Sequence, residues 1–392
     1  MPSHLSRPAT DPAGRSALPW FFDTPEQRLT WARQRFFDEG VRPTGVVSEP
    51  VLQSWARCLQ AGLDPRRLPV FSPVSAARLH GLQARHRLLL DAADAELQQL
   101  QRSLAGTAAV VLLLDAGGRV LHASHRPDAA LMPVLAAAAR PGVDLSEAQI
   151  GTNAPALAAA GTGPCLVRGA EHFAGAIAGV HCAAAAIRGP DGRVAAVLDI
   201  STEGRPFGFD AAQVVAWHAT AIENQWLLAD AATPMVLRLH LQPAQLDSPL
   251  VGLVGLDAGG RLAWLNAAAT AMLGPVAGGQ AAEALCGTSL AALRQLARRG
   301  GVQRLPLANG LQVWLQADWR GEREPAADTA LPPAPAAPPE GGSQPGMPRG
   351  LRQTQRELVR QALQACGGNV SAAARQLGVS RGLVYRHRSG TA

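Results

Sequence analysis

The segment from Cys165 to Cys182 gathers two thiols, two imidazoles and a carboxylate: Cys165, Glu171, His172, His181 and Cys182. Side chains of these types can hold a metal, form a Cys–His nucleophile, or serve as polar handles in a pocket. Structural zinc sites draw ligand pairs at C-x-x-C or H-x(3–5)-H spacings, and no pair here has such spacing, so no metal is expected. A thiolate nucleophile needs a base, a group orienting that base and an oxyanion hole, and nothing in the sequence marks the last two. For Glu171 and His172 two readings stay open, a hydrogen-bonded helix start or polar groups lining a pocket. The chain contains no lysine, so all 36 of its cationic side chains are arginines. That excludes the G-x-x-x-x-G-K-[ST] phosphate loop and lysine Schiff-base chemistry. No catalytic residues, no cofactor and no enzymatic activity are expected.

The scaffold must come from 392 residues, 47% hydrophobic and 17% charged, enough for two to four domains. The apolar run from Ala108 stops at Asp115, short of the roughly 20 residues a membrane span needs. Residues 1–14 hold three prolines and no apolar core, unlike a secretory signal. Five widely spaced cysteines, an odd number, suit a reducing cytoplasm. The net charge is +6, and residues 350–392 hold seven arginines against Glu357 alone, so the tail carries the whole excess. Such concentration is the footprint of a nucleic-acid contact or of a solvated basic tail.

Five segments separate, and together they predict an α+β, multidomain chain. Residues 20–104 read as helical, with Leu52, Trp55 and Leu59, and then Leu79, Leu82, His86 and Leu89, at helical spacing. Residues 105–232 read as strands joined by Asp-Gly turns, closed by one amphipathic helix over 211–229. The turn Asp115-Ala116-Gly117-Gly118-Arg119 recurs as Asp257-Ala258-Gly259-Gly260-Arg261, again between apolar runs. Both read as the opening hairpin of an antiparallel sheet with helices on one face, the second within residues 246–320. Residues 321–349, with eight prolines, form a linker that spans about 30–90 Å depending on its polyproline content. In residues 350–392 an apolar helical stripe stops at Gly367-Gly368. Asn369 then caps a second helix that Gly378 breaks, and Ser380 caps a third.

Two short helices joined by Gly-Val-Ser have helix-turn-helix proportions. The run Asn369-Val370-Ser371-Ala372-Ala373-Ala374-Arg375-Gln376-Leu377-Gly378-Val379-Ser380-Arg381 resembles the Fis-type helix-turn-helix that closes bacterial sigma-54-dependent regulators. The resemblance implies that double-stranded DNA is a partner, with Arg375, Ser380, Arg381, Leu383, Tyr385 and Arg386 as candidate contacts. Arg381 and Arg386 share one helical face and can reach guanine O6/N7 or phosphate. Leu383 either touches a thymine methyl or is buried.

Glu147-Ala148-Gln149-Ile150-Gly151-Thr152-Asn153-Ala154, then Gly169-Ala170-Glu171-His172-Phe173, then Cys182-Ala183, then Val197-Leu198-Asp199-Ile200-Ser201 occur in an order similar to the GAF-type sensor domain of acetoin-catabolism regulators. Ser54-Trp55-Ala56-Arg57-Cys58 resembles the helical segment ahead of that domain. The resemblance implies a small organic effector, with Asn153, Glu171, His172, Phe173 and Cys182 as candidate ligand contacts. Thr152 and Asn153 also read simply as helix caps. Residues 246–320 resemble a PAS domain, as a dimerisation surface, a second pocket or a remnant.

Regulators of this family carry an ATPase between sensor and helix-turn-helix. Here the Pro-rich linker holds that place, so the expectation is a cytoplasmic, homodimeric regulator that binds DNA and senses a metabolite without ATP and without a membrane. The alternative is a sensor or interaction protein whose C-terminal helices mainly dimerise.

Overall fold

The computed structural model describes residues 24–320, apart from 162, 231 and 275, together with 364, 366, 369, 370 and 374. Met1–Arg323 form one compact unit and Glu324–Ala392 a second. The first unit opens with four helices: α1 (Pro25–Phe37), α2 (Glu49–Gln60), α3 (Ala76–Arg85) and α4 (Arg87–Ser103). Thr24 starts α1 with a capping box, its side chain accepting from the Gln27 amide at 3.2 Å ahead of Pro25. The continuous stripe expected over 79–89 is interrupted at His86, which ends α3 and starts α4. Its φ of −101° and ψ of 16° leave the helical region and break the helix there. Leu59 of the expected α2 stripe is exposed, while Trp55 and Cys58 point inward.

The first sheet is antiparallel. Its strands are β1 (Val110–Asp115), β2 (Val120–Ala123), β3 (Cys165–Arg168), β4 (Val180–Arg188) and β5 (Val194–Glu203), in the order β2-β1-β5-β4-β3. Between them lie the short helices α5 (Pro133–Ala138), α6 (Glu147–Ile150) and α7 (Ala154–Ala159), and α8 (Ala211–Leu228) follows.

Helices cover this sheet on both faces, not on one as the hairpin pattern predicts. Val110, Leu112, Leu114, Ala184 and Val197 pack with α1, α2, α5 and α7. Val111, Leu113, Ala185, Leu198 and Ile200 pack with α4 and α8. The reason stands in the sequence of β1: Val110 to Leu114 are all buried, and a strand without polar alternation needs cover on both sides.

The second sheet comprises β6 (Met235–His240), β7 (Gly252–Leu256), β8 (Leu262–Leu265), β9 (Gln303–Pro306) and β10 (Gln312–Trp319), ordered β8-β7-β6-β10-β9. Helices α9 (Ala267–Leu273), α10 (Ala282–Cys286) and α11 (Leu290–Arg299) lie between β8 and β9 in sequence. The sheet starts ahead of residue 246, because β6 is its middle strand. The repeated pentapeptide makes the same turn twice. Asp115 Oδ1 accepts from the Arg119 amide at 2.8 Å, and Asp257 Oδ1 from the Arg261 amide at 2.9 Å. Gly118 and Gly260 take φ of +87° and +74°, which glycine adopts without strain. Each hairpin ends its sheet, but β1 pairs inward with β5, the last strand, and β7 with β6, the first.

The expected linker 321–349 and the six expected DNA contacts, Arg375, Ser380, Arg381, Leu383, Tyr385 and Arg386, lie outside the described residues. In the second unit, Val370 and Ala374 are buried.

Candidate functional site

The motif Glu147–Ala154 is anchored by α2. The Glu147 carboxylate accepts from Arg57 Nε at 3.0 Å, from Arg57 Nη2 at 2.7 Å, and from the Ser54 hydroxyl. Ser54 Oγ also lies 2.7 Å from Thr152 Oγ1, and Trp55 Nε1 donates to the Glu171 carbonyl at 2.8 Å. The guanidinium partner holds the Glu147 carboxyl below its ordinary range despite the opposing effect of burial. Gly151 sits at φ +76°, and a Cβ there would stand 2.5 Å from Phe173 Cβ, so the motif's glycine is required twice over. Arg33 of α1 clamps the facing loop, with Nη1 donating to the Ala170 carbonyl at 2.9 Å and Nη2 to the Phe173 carbonyl at 3.0 Å. Its guanidinium also stacks over Phe37 at 4.8 Å.

Behind these supports is a cavity of about 40 Å³, bounded by the sheet face of Leu112, Cys182, Asp199 and Ser201, by α5, and by Asn153 and His172. That is room for a few heavy atoms, since a water needs roughly 10–15 Å³. Of the five residues singled out in the sequence, Asn153, His172 and Cys182 line it. Phe173 is fully buried and packs edge-on against Phe37 at 5.4 Å. The Glu171 side chain accepts from the Arg168 amide at 2.7 Å and lines a separate, wider cleft with Glu26, Arg28 and His181. Burial raises the Glu171 carboxyl above its ordinary range.

Asn153 acts as the helix cap that its type suggests and also lines the cavity. Its Oδ1 caps α7 by accepting from the Ala156 amide at 2.9 Å, while Nδ2 donates to the Leu145 and Gly151 carbonyls. Thr152, buried against Ser54, ties α2 to the motif.

His172 is 2.9 Å from the Gly169 carbonyl through Nδ1 and 2.9 Å from Cys182 Sγ through Nε2. A carbonyl only accepts, so Nδ1 carries the proton and Nε2 accepts from the thiol. Burial pushes His172 down to about 4 and Cys182 well up, which keeps both neutral. A thiol held protonated is not an activated nucleophile.

Asp199 and Ser201 are not among the contacts that the sequence motifs single out. Asp199 is fully buried in the middle strand β5, between Leu112 of β1 and Ala184 of β4. Its Oδ2 accepts from Ser201 Oγ at 2.7 Å, and burial raises the carboxyl to about 7. The available signal is a charged residue inside the apolar run Val197–Ile200. Among the described residues, no group of three or more His, Cys, Asp or Glu could hold a metal ion, and no helix is long and apolar enough to cross a membrane.

Comparison with known proteins gives two family matches. The MimR N-terminal domain family matches residues 24–219, half of the 392, and the bacterial regulatory protein, Fis family, matches residues 350–387. The acetoin catabolism regulatory protein of Cupriavidus necator is 34% identical over 243 residues, covering 60% of this chain and 36% of that protein. The acetoin dehydrogenase operon transcriptional activator AcoR of Bacillus subtilis is 29% identical over 177 residues, 45% of this chain and 29% of that one. The propane 2-monooxygenase operon transcriptional activator MimR of Mycolicibacterium smegmatis is 30% identical over 190 residues, 47% and 30% of the two chains. The chain therefore spans about a third of the length of these relatives. With residues 24–219 matched by one family and a Fis-type segment over residues 350–387, the chain belongs to the MimR N-terminal domain family of AcoR-like, Fis-type regulators.

Proposed function

We propose that this protein is a cytoplasmic, DNA-binding transcription regulator that takes a small organic effector into the cavity between the first sheet and α5–α7, without enzymatic activity and without hydrolysing ATP. The observation that carries the reading is the Fis-family segment at 350–387, in the region that holds the chain's entire excess of positive charge. Arginines presented on one helix reach guanine edges bidentately, and the remaining arginines neutralise phosphates. The effector acts only through its differential affinity for two states of the protein. Coupling is modest, about 1–3 kcal/mol.

The test is binding of the full chain to genomic fragments selected from its own binding sites. Affinity should fall with salt, with a slope of roughly −0.9 per phosphate contacted. Arg381→Ala should cost about 1–3 kcal/mol at the selected site and relax its sequence preference. Failure to enrich any sequence, with the tail needed only for self-association, would instead make the tail a dimerisation element.

A further inference from the structure

The polar groups in the cavity wall are almost all committed. Both Nδ2 hydrogens of Asn153 go to backbone carbonyls, and its Oδ1 caps α7. His172 uses both ring nitrogens, one of them on the Cys182 thiol. Ser201 donates to Asp199 Oδ2. Asp199 Oδ1 alone is left over: it is fully buried, its residue lines the cavity, and it has no hydrogen-bond partner among the described residues. A buried carboxyl oxygen without a partner is costly, so this wall asks for one hydrogen-bonding group at one place.

The chemistry of that group is narrowed by what surrounds it. Among the described residues no arginine lines the cavity, and its histidine is neutral, so an anion would bring a second negative charge beside Asp199 with nothing to compensate it. An ammonium would leave its remaining donors against carbon. A hydroxyl fits either state of the acid. It donates to Oδ1 when the carboxyl is ionised. When the carboxyl is protonated, Oδ2 is already taken by Ser201, so the proton sits on Oδ1 and the hydroxyl accepts it. Leu112, Leu135, Ala138 and Ile177 leave space for a few carbons only.

We propose that Asp199 Oδ1 is the polar anchor of this cavity and that the ligand it takes is a small uncharged alcohol or diol. The inference rests on reading the cavity as the effector site. The experiment titrates full-length protein with 2-propanol, propane-1,2-diol, acetate and isopropylammonium, following saturable binding by ligand-observed NMR.

Both alcohols should bind, and the two ions should bind at least about tenfold more weakly. Asp199→Leu should weaken alcohol binding by about tenfold or more, whereas Asp199→Asn, which keeps a hydrogen-bonding group in the same volume, should stay within a few fold of wild type. Ala138→Leu, which fills the cavity, should abolish binding. Acetate binding as tightly as the alcohols, or no saturable alcohol binding up to about 100 mM, overturns the proposal. Alcohol binding that survives Asp199→Leu but is lost in Ala138→Leu overturns the anchor and leaves the cavity as the site. Binding indifferent to both variants removes the cavity reading itself.

Discussion

At the scale of single residues, two buried ionisable groups on the cavity wall pull stability in opposite directions with pH. Burial raises Asp199 from its ordinary 3.8 to about 7, so between these values the folded chain keeps a proton that the unfolded chain has released. Its contribution is complete below about pH 4 and is lost as the pH climbs toward 7. His172 is lowered from 6.5 to about 4, so the unfolded chain takes up a proton that the folded chain refuses. Stability from His172 is complete above about pH 6.5 and is lost as the pH falls toward 4. Asp199→Asn removes only the first effect. Chemical denaturation at about pH 5 and pH 8 should therefore show the variant gaining on wild type at the higher pH, by up to a few kcal/mol, since each pH unit over which the two states differ by one proton changes stability by about 1.4 kcal/mol. An equal difference at both pH values would mean that the Asp199 carboxyl is not perturbed in the folded protein. The backbone at Gly151 is a second residue-scale test. Gly151→Ala places a Cβ at positive φ and against Phe173, and should cost at least about 1–3 kcal/mol in unfolding free energy. A cost near zero would mean that the loop repacks freely.

At the scale of elements, α8 joins the two sheets. Its Glu223 accepts from the Arg188 amide at the end of β4 at 2.8 Å, and the next residue, Asn224, reaches the other way. Asn224 Nδ2 donates to the Pro249 carbonyl and its Oδ1 accepts from Asn266 Nδ2, both at 2.8 Å. Asn266 meanwhile caps α9 through the Ala269 amide and accepts from the Leu253 amide of β7. Leu227 of α8 continues the contact into an apolar cluster with Val236, Leu253 and Trp264. One buried amide thus serves a cap, a strand and a neighbouring helix. Asn266→Ala leaves several of those partners unmatched in a dry setting, and should destabilise by about 2–4 kcal/mol, more than the roughly 1 kcal/mol of a cap alone. Thermal unfolding is the check. If the joint makes the sheets cooperative, Asn266→Ala should also separate one transition into two, and a single transition shifted by no more than a cap's worth would show that α8 does not couple them.

At the scale of the whole molecule, the decisive quantity is how many DNA readers act together. A single helix-turn-helix covers one half-site, and paired readers are set about 34–36 Å apart along the duplex. Light scattering of the full chain at micromolar concentration should give a dimer mass. A monomer mass both free and on a selected DNA site would refute the dimeric reading. Truncation after residue 320 removes the Fis-family segment and should abolish DNA binding while leaving effector binding intact.

Several features could be read from the sequence because they are local. Asp-x-Gly-Gly-Arg between apolar runs makes the same hairpin at 115–119 and 257–261. The ordered motifs from Glu147 to Ser201 lie in the part of the chain that the MimR N-terminal domain family matches, and the arginine tail in the part that the Fis family matches. Tertiary structure decided what depends on contacts between distant segments. It placed Glu171 and Phe173 outside the cavity that Asn153, His172 and Cys182 line: Glu171 ends a tight helical turn over residues 169–171 and faces the wider cleft, and Phe173 packs against Phe37 of α1. It covered the first sheet twice, since burial of β1 on both faces requires helices from both before and after it in sequence. It made β6 a middle strand, through pairing with β10 far along the chain. Asp199 gained its place at the cavity only when β1 and β4 closed around β5, for no local pattern states which buried carboxyl will be left one hydrogen bond short.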